Sequence, residues 1–213
     1  SKSEKLIFTK IEEFTYFIAT IENLKMGILL KQIRVHGFRG LDNIEIDFEP
    51  TTVLVGTNNA GKTTLLKALQ LALSNSVQIT DDDFFFSDAI NRNKIIVDLL
   101  FISVDEEGIQ LPEFEDNWAT VFTESRISFD SNGNQMLAFR TVVEENLIRK
   151  TFTKKQFVID EWVEFKNDDE EYWYQKEYQN SLSFYFDEIP FFYLDANRDI
   201  LEDLKSKTSF LGK

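Results

Sequence analysis

Cysteine is absent from this chain, which excludes a disulfide framework and any thiolate-held metal, and fits a reducing compartment. Histidine occurs once, at His36 on the end of an apolar run, with no identifiable catalytic partner; a structural role is the expectation there. Long apolar runs are also lacking. No segment approaches the roughly 20 uninterrupted apolar residues of a membrane helix, and the opening SKSEKLIFTK has no small-residue cleavage site of a secretory leader. Basic residues are outnumbered, 23 Lys and Arg against 37 Asp and Glu, for a net charge of −14. The chain therefore has no global basic footprint for nucleic acid. A soluble cytoplasmic protein is expected, without a membrane partner. The 213 residues, 43% of them hydrophobic, are enough to bury a core as one large or two small units.

Along that chain the hydrophobic period changes several times. Ile7, Ile11, Phe14, Ile18 and Ile21 are spaced four, three, four, three, which predicts an amphipathic helix or extension over residues 1–25. Its polar face mixes Lys10 with Glu12, Glu13 and Glu22, so packing on a neighbour is favoured over lying on a membrane. From residue 28, ILLKQIRVHGFRG reads as strand. NIEIDFE alternates Ile44, Ile46 and Phe48 with Glu45, Asp47 and Glu49, a half-buried strand that Pro50 closes. TTVLVG begins a short, continuously apolar strand of the kind buried on both faces. Lys62 to Leu73 reads as a helix with Leu65, Leu66, Leu69 and Leu73 on one side. ITDDDFFFSDAINRN is a loop with an acidic cluster, and KIIVDLLFISV a strand. Residues 126–165 look antiparallel, with SNGN as a turn. FKNDDEEYWYQKEY is read as an acidic, exposed connection. SLSFYFDEI and PFFYLDA are further strands, and NRDILEDLKSK opens a last helix.

Residues 53–64 read VLVGTNNAGKTT and fit G-x-x-x-x-G-K-[ST] from Gly56 through Thr63. The chemistry of a polyphosphate site explains each position. Ringing several negative charges with cationic side chains alone is crowded; converging backbone N–H groups bind the oxygens instead, provided no Cβ blocks them. Gly56 and Gly61 permit that path, and the intervening Asn58, Asn59 and Ala60 complete the loop. The loop runs into a helix N-terminus, whose unpaired N–H groups and dipole favour an anion. Lys62 would reach the β- and γ-phosphates, Thr63 would place its hydroxyl on Mg²⁺, and Thr64 would add a bond to the α-phosphate. The strand before and helix after are the context this motif requires.

The order strand, F-R-G-L, alternating strand, then strand with G-T-N-N-A-G-K-T-T-L-L resembles the start of the ABC-type ATPase heads of the SMC and RecF group. Within that group it is most similar to the OLD family (overcoming lysogenization defect) of ATP-dependent endonucleases, in I-R-V-H-G-F-R-G-L, N-N-A-G-K-T-T-L-L, the D-D-F after the first helix and the later Y-L-D-A-N-R-D. The resemblance covers residues 26–105 well and 190–199 in part. It implies an α/β fold, a P-loop NTPase of the ABC/SMC head type whose N-terminal lobe carries an antiparallel β subdomain. Residues 26–213 would be the N-terminal portion of the ATPase domain, with a β-rich insertion at about 94–194.

The same resemblance implies that Arg39 lies near the nucleotide, facing the α-phosphate or ribose; an exposed turn arginine is the alternative. Asn197 and Arg198 sit where related heads sense the γ-phosphate and Mg²⁺. The usual residue there is Gln, Asp195 competes with Asn197 for the role, and either could simply cap a helix. Asp81, Asp82 and Asp83 fit a solvated or helix-starting cluster better than a metal site. Hydrolysis requires a Walker B strand. The one apolar run ending in Asp-Glu, at Asp187 and Glu188, is aromatic and precedes LDANRD, the wrong order for the family. No LSGG-type signature or Toprim carboxylates are visible. The expectation is the ATP-binding head of a longer ATP-dependent nuclease in DNA processing or phage defence. It would bind ATP and Mg²⁺, pair with a second head, and leave DNA to parts outside this chain. A RecF-like repair head without nuclease, or a non-catalytic nucleotide-binding module, are the alternatives.

Overall fold

The computed structural model describes residues 20–22, 27–55, 61–74, 77–123, 126–146, 151–166 and 170–174. The apolar and alternating runs pair into one antiparallel sheet. Its strands are β2 (Ile28–His36), β3 (Ile44–Asp47), β5 (Lys94–Ser103), β6 (Ser128–Phe129), β7 (Gln135–Asn146) and β8 (Thr151–Val158). The order is β3-β2-β5-β7, and β6 and β8 share the far edge of β7. The β-rich region expected from about residue 94 is thus continuous with strands at 28–47. A separate pair joins β1 (Thr20–Glu22) to β4 (Thr51–Val53). The α-helices among the described residues are α1 (Lys62–Leu73) and α2 (Asp116–Phe122); α2 interrupts a stretch read as β.

The expected helix Lys62–Leu73 has those bounds in the structure. It forms because Leu65, Ala68, Leu69 and Ala72 recur at helical spacing and all four are buried. They pack on Ile33, Val35, Val97, Leu99, Leu137 and Phe139 from alternate positions of three strands. Each such leucine contributes about 1.5–3 kcal/mol when fully withdrawn from water. A bulge at Lys31 keeps this face in phase: Leu30 and Ile33 both enter the core although three residues apart, because one residue of β2 has no partner on β5.

The opposite face is covered by a segment whose described parts are residues 159–166 and 170–173. Ile159 and Trp162 pack on Leu29, Leu100 and Ala138, and Val163 and Phe165 on Ile96, Val142, Tyr172 and Trp173. This corrects one expectation. The FKNDDEEYWYQKEY stretch is not wholly an exposed connection, since Tyr172 and Trp173 are buried. Their aromatic area outweighs the acidic neighbours, which stay exposed at Glu170 and Glu171.

Two further expectations are corrected. Thr20–Glu22 is a strand rather than part of a helix; β-branched Thr20 and Ile21 lie opposite Val53 and Thr52 of another β-branched segment. The rest of the residues 1–25 stripe lies outside the described residues. Residues of TTVLV are not buried on both faces either: Val53 is 49% and Val55 64% exposed. β4 pairs with β1 and lies outside the six-stranded sheet, so its side chains gain no cover from that sheet.

Candidate nucleotide site

Helix α1 starts at Gly61, whose φ of 80° lies in the left-handed region. A Cβ there would be strained by the backbone itself. Its would-be Cβ lies 3.4 Å from Leu41 Cδ2, an ordinary contact. The first helical bond runs from Leu65 N–H to the Gly61 carbonyl at 2.8 Å. Gly61 has no side chain with which to cap this N-terminus, and no acidic residue stands in its first turn. Both are unusual for a helix start, where Ser, Asp or Glu normally satisfies the orphan N–H groups. With no acidic side chain in the first turn, no carboxylate among the described residues opposes an anion at the positive end of the helix dipole. Thr63 is exposed here, and Lys62 and Thr64 are half-buried. Gly56, Asn58, Asn59 and Ala60 lie outside the described residues, as does Asn197 with Asp195 and Arg198.

The F-R-G-L turn approaches that N-terminus through Leu41, and its Arg39 lines a cleft with Lys67, Gln70 and Leu71 further along α1. Phe38 and Leu41 exchange both backbone hydrogen bonds, 3.0 and 2.8 Å, and Arg39 between them has a φ of 52°. Arginine in this conformation costs on the order of 1 kcal/mol, a strain that tends to mark functional turns. The turn is held from one side. Arg39 N–H donates to the Asp83 carbonyl at 2.8 Å, and Arg39 Nε to Asp83 Oδ1 at 2.7 Å. The Arg39 side chain stays 35% exposed while that of Asp83 is 7% exposed. Phe38, Arg39 and Asp83, with Lys67 and Gln70 of α1, border a cleft of about 300 Å³. Asp81 and Asp82 are exposed, and the three aspartates form a short 3₁₀ turn that Thr80 starts.

His36 is buried beneath the covering segment. It stacks on Trp173 at 5.0 Å, its Nδ1 is 2.7 Å from Asn43 Oδ1, and burial holds its pKa below the usual value. That is a structural environment. Nearby, Arg92 bridges Asp42, at 2.9 Å, and Glu170, whose carboxyl it holds below the usual range.

A second polar group escaped the sequence reading. Arg34, Asp98 and Arg140 stand opposite one another across β2, β5 and β7. Arg140 binds Asp98 through Nε and a terminal nitrogen, both at 2.8 Å. Tyr172 donates to Asp98 Oδ2 at 2.7 Å and accepts from Arg34 at 2.9 Å. Arg34 also pairs with Glu45 at 2.6 Å and lies 3.9 Å from the Trp162 ring centroid. Burial raises the Tyr172 phenol well above its usual pKa. The available signal was a lone Asp inside KIIVDLLF and a lone Arg inside QMLAFRTVV, since charges inside apolar strands require partners.

Comparison with known proteins bears on the phosphate-binding motif. Residues 29–210 match the model of the AAA ATPase domain family. An OLD nuclease from Thermus scotoductus is 47% identical over 45 residues, 21% of this chain and 8% of the relative. The DNA replication and repair protein RecF of an Exiguobacterium species is 46% identical over 55 residues, 25% of this chain and 15% of the relative. An uncharacterized Escherichia coli protein, YbjD, is 37% identical over 62 residues, 28% of this chain and 11% of the relative. The chain thus matches well under a fifth of the length of each of these relatives.

Proposed function

This chain belongs to the AAA ATPase domain family, whose members are P-loop NTPases, and from that premise we propose that it is the Mg-ATP-binding head of an OLD-type ATP-dependent nuclease. The observation that carries the nucleotide reading is the G-x-x-x-x-G-K-T motif ending in a left-handed Gly61 that launches an uncapped, acid-free helix. Backbone N–H groups of residues 56–61 cradle the phosphates, Lys62 neutralises the β- and γ-phosphates, and Thr64 bonds the α-phosphate. The donor set suits Mg²⁺: Thr63 offers a neutral hydroxyl oxygen from the first turn, and a hard cation bound with a nucleotide takes oxygen ligands from side chain and phosphates together. Bound there, the ion would neutralise charge on the phosphates. Arg39 supplies a guanidinium to the α-phosphate or ribose, and Asn197 a carbonyl ligand near the γ-phosphate.

The specific head type is ABC/SMC-like, two heads pair around nucleotide, and DNA is met by parts of the protein outside this chain, in keeping with its −14 charge. The protein acts in the cytoplasm, in DNA processing or phage defence. Support for the nuclease family comes from the OLD relative, and support for a second reading, a RecF-like repair head without nuclease, from the RecF relative. Metal-dependent cleavage of DNA by the full-length protein separates the two. ATP with Mg²⁺ at 100 times its Kd should stabilise the chain by about 2.7 kcal/mol, read as a melting-temperature rise. Lys62→Ala should abolish that rise; equal protection of both would refute the phosphate-loop assignment.

A further inference from the structure

We propose that Asp83 is a positioning residue for nucleotide binding, acting through Arg39; the proposal rests on the nucleotide reading above. The two oxygens of its carboxylate have separate partners. Oδ2 accepts from Thr80 N–H at 2.8 Å and from the Thr80 hydroxyl at 3.2 Å, which fixes the carboxylate to its own loop. Oδ1 accepts from Arg39 Nε at 2.7 Å and from a terminal nitrogen of the same guanidinium. One edge of the arginine fork is thereby held by a buried acid, in a side chain that remains 35% exposed. The Asp83 carbonyl holds the Arg39 backbone as well, at 2.8 Å, and the guanidinium carbon lies 5.5 Å from the Phe38 ring centroid.

A guanidinium has five donors in a rigid plane, so binding one edge orients the other without exhausting it. An arginine that met phosphate from a free rotamer would lose that freedom on binding. One already fixed has little left to lose, and its interaction appears in the affinity. This fits the presence of an arginine where glycine is the unstrained choice, at φ 52°. It also gives Asp83 a use distinct from its exposed neighbours Asp81 and Asp82.

Titration calorimetry of Mg-ATP into the 213-residue chain and its variants tests the assignment. Arg39→Ala and Asp83→Asn should each weaken binding by about tenfold, and the double variant should bind no more weakly than Arg39→Ala, because Asp83 acts through Arg39. Asp83→Asn binding as tightly as wild type, or more tightly, overturns the proposal, as do losses that multiply in the double variant. Should Asp83→Asn not fold, Arg39→Lys serves: it keeps the charge but cannot be held by one edge and present another. It should lose about tenfold in affinity with an unchanged melting temperature in the absence of nucleotide; wild-type affinity refutes the proposal. Absence of ATP binding by the wild-type chain would instead defeat the nucleotide reading and this proposal with it. Binding that Lys62→Ala abolishes and Asp83→Asn spares would defeat the Asp83 role alone.

Discussion

The two faces of the central sheet are made from the same strands by opposite means. Toward α1 the strands present Ile33, Val97, Leu99 and Phe139, a dry contact with helix side chains. Toward the covering segment the alternate positions present, among apolar residues such as Leu100 and Ala138, Asp98 paired with Arg140 and joined through Tyr172 to Arg34, beneath Trp162, Phe165 and Trp173. The first face draws its stability from burial, which is non-directional. In the second, attraction between charges is set against the cost of removing them from water, so its net contribution depends on every partner staying in place. Pairing of a charged row across three strands also penalises any slip in register, since a one-residue shift would turn each charge to the other face.

Breaking the charged face should cost most. Asp98→Ala leaves Arg140 buried without its carboxylate and should destabilise the chain by about 4 kcal/mol in urea unfolding, within the range for a broken buried pair. If the loss is below about 1 kcal/mol, water reaches the row and the contrast between the faces disappears. On the dry face, Leu69→Ala should cost about 3 kcal/mol, as a cavity opens where α1 meets the sheet. The smallest effect concerns His36. Burial lowers its folded pKa below the ordinary 6.5, so the unfolded chain binds the proton more readily. Its contribution is intact above pH 6.5 and is lost as pH falls below that value toward the folded pKa. Because the chain has no other histidine, the stability slope between pH 5.5 and 7 (roughly the histidine window) should flatten in His36→Asn. An unchanged slope would mean that the covering segment does not keep water from the imidazole.

Legibility in the sequence followed the range of the forces involved. Helix α1 was readable to the residue, because its apolar spacing and the Gly61 that starts it are local. Strand β5 and the antiparallel character of 126–165 were readable for the same reason. The exposure of Val53 and Val55 was not. An apolar strand shows that cover is available to it only through what packs beside it, and β4 pairs outside the main sheet. Nor was the burial of Tyr172 and Trp173 readable, since their partners Asp98 and His36 are remote along the chain and the local composition is acidic. At the candidate site, Gly61 precedes α1, and Lys62, Thr63 and Thr64 form its first turn. The pairing of Arg39 with Asp83, across 44 positions, had no counterpart in the pattern.

The G-x-x-x-x-G-K-T motif was legible in twelve consecutive residues, because backbone freedom at glycine, one ammonium and two hydroxyls are properties of those residues and their immediate neighbours alone. Which acid would hold Arg39, and which charges would share the buried row with Asp98, were decided only by closure of the sheet and its covering segment. Those partners are chosen by strand register and loop path, and electrostatic pairing acts only once folding has brought the groups within a few ångströms and removed the water between them.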